Sequence, residues 1–154
     1  MNELTKVVSE FARAVDQVTQ QIPNLELDDV VQLYDDIEAG FLPRVSGSDE
    51  ATIEFKRRIA ESKLYLLCEY NRPFEEVILF YDAVCKYGFA DLERKATVDI
   101  IFAKYCLRNG YTGRGSEILN QLYQELSDTL TTNDLEIYRH LMKIVERILK
   151  EKML

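Results

Sequence analysis

The chain has no tryptophan, three prolines and six glycines in 154 residues. No segment alternates apolar and polar residues over a useful length, and proline and glycine fall only between longer periodic runs. A turn-rich all-β fold is therefore excluded. Histidine occurs once, at His140, so a catalytic dyad or metal cluster needing two is excluded, and a structural role is expected. Cys68, Cys85 and Cys106 are odd in number and form no Cys-x-x-Cys pair, which excludes a disulfide framework and a thiolate zinc site. Each sits among apolar neighbours in an expected helix, so all three are read as reduced core thiols. The apolar runs, such as Val98 to Ala103, are too short to cross a bilayer, and MNELTKVVSEF lacks the apolar core of a signal peptide. A soluble cytoplasmic protein is expected, with no membrane contact.

The content of the chain is ordinary for a globular protein, with 47% apolar and 30% charged residues. Its length predicts a single domain over 1–154, burying about 70% of its unfolded surface. Helical periodicity predicts seven helices. The first runs from about Glu3 to Gln20, with Leu4, Val7, Val8, Phe11, Ala14, Val15 and Val18 on one stripe, and Pro23-Asn24 breaks it. The second spans about Leu27 to Glu38 and stops at Gly40. Phe41 to Gly47 reads as the longest loop, after which Ser48 caps a third helix through Tyr70. Pro73 opens a fourth helix to about Lys86. The fifth spans Asp91 to Leu107 and the sixth Ser116 to Thr129. Asn133 with Glu136 predicts a capping box for the last helix, Asp134 to about Lys152. The expected fold class is all-α.

Between Asn109 and Leu126 the chain reads NGYTGRGSEILNQLYQEL. One helix ends at Asn109-Gly110, the chain turns through Tyr111-Thr112-Gly113, and a second amphipathic helix begins near Gly115. That is an antiparallel helical hairpin, and similar punctuation occurs at Asn71-Arg72-Pro73 and Tyr87-Gly88. Ala103, Gly110, Gly115 and Leu119 stand at the relative offsets of the tetratricopeptide-type hairpin, so this part of the chain resembles that family. Val77 and Tyr81 stand in the corresponding places upstream, but 38 residues earlier rather than the motif's 34, and the closing proline after Leu126 is missing. The likeness covers about half the chain. It implies hairpins at about 3–38, 49–86 and 91–129, stacked as an irregular superhelix or a right-handed bundle. Residues 134–152 would then form a capping helix.

Charge is unevenly placed. From Ala14 through Pro43 there is no lysine or arginine, while Asp16, Glu26, Asp28, Asp29, Asp35, Asp36 and Glu38 are acidic. Asp28 with Asp35, and Asp29 with Asp36, lie about two helical turns apart, which stacks each pair along one side of the second helix. Val30, Leu33, Tyr34 and Ile37 take the other side. This ridge reads either as a solvated face or as a docking surface for a basic partner. It lacks the calcium-binding loop pattern of spaced aspartates and glycine, so no metal is assigned. A pI of about 4.8 and the lack of a basic patch threaded with aromatics argue against nucleic acid.

Tyrosine is abundant, at nine residues, and seven of the nine lie between Tyr65 and Tyr123. A rigid ring with a hydrogen-bonding tip suits partner surfaces as well as half-buried core positions. In stacked hairpins Tyr65, Tyr70, Tyr105 and Tyr111 are expected to line a groove for a peptide or helix. Lys56-Arg57-Arg58 and the stripe Lys143, Arg147, Lys150 read as solvated faces paired with nearby glutamates. Gly110 to Gly115 lacks the lysine-serine/threonine ending of a phosphate-binding loop and follows a helix, so it reads as a turn.

These readings converge on a non-enzymatic interaction module without a cofactor, binding a protein or peptide through the acidic face, the tyrosine groove, or both. The alternatives are an immunity or antagonist protein that masks a basic toxin or a nucleic-acid-binding partner, and a tetratricopeptide-like secretion chaperone. An enzyme of unknown type is the reading from another class, and a pocket with displaced pKa values would mark it.

Overall fold

A computed structural model describes residues 3–21, 24–45, 49–89 and 91–152. Among the described residues the fold is all-α, as expected, with no strand. The helices are α1 (Glu3–Gln21), α2 (Leu27–Phe41), α3 (Asp49–Glu69), α4 (Phe74–Tyr87), α5 (Leu92–Arg108), α6 (Thr112–Leu130) and α7 (Glu136–Lys152), and a 3₁₀ turn covers Leu42–Val45. None of them is long and apolar enough to cross a membrane. The chain divides into two compact units, Met1–Lys63 and Leu64–Leu154, and α3 carries the boundary.

In the first unit α1 packs on α2, and both meet the 3₁₀ turn. The helical stripe of α1 delivers Val7, Phe11 and Val18 to the interior, while the side chains of Leu4 and Val8 lie outside the description. Phe11 meets Phe55 edge-on at 4.3 Å and Phe41 at 5.7 Å, a geometry that sets positive ring edges against negative faces. Ile59 completes this core. The 3₁₀ turn is held from outside by Arg44, whose guanidinium bonds Glu10 at 2.8 Å and lies over the Phe41 ring.

In the second unit α5 packs on α6, α6 on α7 and α5 on α7. The core gathers Ala96, Ile100 and Ala103 from α5, Leu119, Leu122 and Leu126 from α6, and Leu141, Val145 and Ile148 from α7. The spacing of each set is three or four residues, so three amphipathic stripes close on one another. Two of the expected hairpins, α1–α2 and α5–α6, are thus packed neighbours.

The turns follow the punctuation. Asn71, Gly88 and Gly110 are the described residues with positive φ, at 51°, 77° and 88°. After Gly110 the Tyr111 amide returns to the Cys106 carbonyl at 2.8 Å, and after Asn71 the Arg72 amide returns to Leu67 at 3.0 Å. These are left-handed helix ends, which glycine and asparagine tolerate best. The two turns also touch, because the Asn109 side-chain amide donates to the Asn71 side-chain oxygen at 3.2 Å.

Four expectations change. Gly40 lies inside α2 and does not end it, so Phe41 to Val45 of the expected Phe41–Gly47 loop are instead the last residue of α2 and a 3₁₀ turn, while Ser46 and Gly47 lie outside the described residues. α6 begins at Thr112, four residues earlier than the periodicity indicates, and takes Gly113 and Gly115 into its first turns. The capping box does not form, since α7 starts at Glu136 and the Leu135 carbonyl receives its first amides, while Asp134 bonds Arg139. Glu136 at the first helical position cannot reach back as a third-position residue would. Cys85 is exposed, whereas Cys68 and Cys106 are buried as expected. It sits one position beyond the buried Val84, outside the inward stripe of α4. Pro23 and the capping Ser48 lie outside the described residues.

Candidate interaction groove

Two recesses in the second unit lie beside α5, and Lys104 and Arg108 line both. The first, of about 380 Å³, is bounded by Tyr65, Cys68 and Glu69 on the last turns of α3 and by Ile101 on α5. The second, of about 540 Å³, is bounded by Leu107, by Thr112 at the start of α6, and by Ile148 and Glu151 on α7. Ile101, Lys104 and Arg108 follow a spacing of three and four, which places them on one face of α5.

The charges in this groove are differently held. The Arg108 guanidinium donates to the Cys68 carbonyl at 2.8 Å and to the Asn71 side-chain oxygen at 3.4 Å, which fixes its plane. Lys104 is exposed and makes no ion pair or hydrogen bond with any described residue. The neighbouring Glu69 is engaged by the Tyr65 hydroxyl. The Glu69 charge and then burial raise the Tyr65 pKa above the usual tyrosine range. Burial pushes the Cys68 thiol up to about 12 and the Cys106 thiol up to about 11, so neither is a thiolate near neutrality.

The four tyrosines expected at a groove separate. Tyr65 is 45% exposed and lines the first recess. Tyr70 and Tyr111 are exposed, but neither lines a recess with Lys104; the Tyr111 ring stacks on Phe74 with centroids 4.2 Å apart. Tyr105 is 1% exposed, and its hydroxyl donates to the Arg72 carbonyl, so it ties α5 to the turn before α4 and offers no surface. Sequence reasoning missed Lys104 and Arg108. The available signal was two cations four apart on a helix with no acid at the matching positions.

The acidic face lies in the first unit. Asp28, Asp29 and Asp36 are exposed, and none forms an ion pair with a described residue; Asp36 accepts from Gln32 at 2.9 Å. Asp35 departs from the ridge, because the Lys63 ammonium, only 13% exposed, bonds it and approaches Glu38 at 3.9 Å. Residues 1–63 carry thirteen acidic and seven basic side chains, and residues 64–154 carry fourteen and twelve. The excess negative charge therefore belongs mainly to the unit that bears the ridge.

The most enclosed polar group is Asp99, 3% exposed on α5. Its two oxygens accept from the Tyr81 hydroxyl and the Lys95 ammonium, both at 2.9 Å, and Lys95 also bonds Glu125 of α6 at 2.9 Å. Every member is satisfied, so the network fastens α4, α5 and α6 together. His140 is exposed on α7. Among the described residues no three histidine, cysteine or acidic side chains gather as metal ligands. No protein-family model, curated protein or solved structure matches the chain.

Proposed function

We propose that this chain is a non-enzymatic, cytoplasmic interaction module of the tetratricopeptide-like hairpin type, which receives a protein or peptide segment in the groove along α5. The observation that carries this reading is a pair of recesses beside α5, both lined by Lys104 and Arg108. Tyr65, Ile101, Leu107 and Ile148 supply apolar contact beside a few charged groups, a mixture typical of peptide-binding surfaces. The lining comes from α3, α5, the start of α6 and α7.

A second reading rests on Asp28, Asp29 and Asp36. Three exposed carboxylates without cationic partners form a surface suited to a basic protein, as an immunity protein, an antagonist or a secretion chaperone would present. The two readings separate experimentally. A partner is first identified by affinity purification from the host and mass spectrometry, and its association with wild type, Tyr65→Ala and Asp28/Asp29/Asp36→Asn is then measured. Loss in Tyr65→Ala supports the groove, and slowed association in the triple variant supports the ridge. Wild-type binding by both variants overturns both.

A further inference from the structure

We draw no further inference here: the strongest candidate, the exposed face of α2 that carries Asp28, Asp29 and Asp36, belongs to the reading already proposed, and among the described residues no second feature beside it points to a ligand.

Discussion

A Cβ placed on Gly115 would stand 3.0 Å from the carbonyl oxygen of Ala103 and 3.1 Å from the Leu107 side chain. The pairing of α5 with α6 depends on that approach, since a backbone oxygen cannot swing aside as a side chain does. Gly113, in the same helix, has nothing within 4 Å of the same position. Alanine at the two sites should therefore act in opposite directions. Gly115→Ala is expected to cost about 1 kcal/mol or more through overpacking. Gly113→Ala should be neutral or gain up to about 0.5–1 kcal/mol, because alanine loses less chain entropy in a helix. Urea unfolding of the two variants checks this, and equal stability would disprove the close contact.

The hairpin was legible because its signals are local. Asn71, Gly88 and Gly110 take positive φ beside helix ends, which their residue types tolerate best. Ala103 and Gly115 are small where the backbones approach. The groove was less legible because it depends on which residues different helices bring together. Tyrosine spacing does not say that Tyr105 turns inward to a carbonyl while Tyr65 faces out. Nor does sequence spacing reveal that Lys104 shares a recess with Glu69, which lies 35 positions away in sequence. Helix boundaries shifted where a helix ran through a glycine read as a stop or turn, as at Gly40 and Gly113.

The cysteines should separate by reagent accessibility. Cys85 lies exposed on α4, while Cys68 and Cys106 are buried and hold their protons well above neutrality. A maleimide added to native protein is expected to label Cys85 first, and faster as pH rises, since burial raises its thiol pKa too. All three should react promptly in denaturant. Mass spectrometry of quenched samples gives the order, and early labelling of Cys106 would contradict the core assignment.

The acidic face should behave as two kinds of carboxylate. Asp28, Asp29 and Asp36 are exposed without ion pairs, so converting all three to asparagine should leave stability within about 0.5 kcal/mol, or raise it slightly as repulsion falls. Asp35 holds the largely buried Lys63. Asp35→Asn should cost about 1 kcal/mol, because that ammonium loses a carboxylate partner. Thermal unfolding of the triple and the single variant distinguishes them, and a loss in the triple variant matching the single one would show that the ridge is structural.

Alkaline pH should unfold the chain through its buried hydroxyl and thiol groups. Burial, and then the Asp99 charge, raises the Tyr81 hydroxyl pKa above its usual range, and burial raises Cys68 to about 12 and Cys106 to about 11. Lys95 is raised as well: burial alone would lower it, but its bonds to Asp99 and Glu125 outweigh that. For each group the folded state binds the proton more tightly than the unfolded one. Their stabilisation is thus complete below the unfolded values and is lost as pH rises towards the folded ones. Stability is expected to be flat around neutrality and to fall from about pH 9 upwards, where unfolded thiols begin to ionise. Tyr81→Phe removes one titrating group and one bond to Asp99. It should lower stability at pH 7 by about 1 kcal/mol and make the decline above pH 10 shallower. Asp99→Ala removes the acceptor of the Tyr81 hydroxyl and leaves Lys95 with Glu125 alone, and should cost about 3 kcal/mol. Denaturant midpoints across pH 7 to 11 for the three proteins provide the measurement, and an unchanged alkaline slope in Tyr81→Phe would remove that hydroxyl from the account.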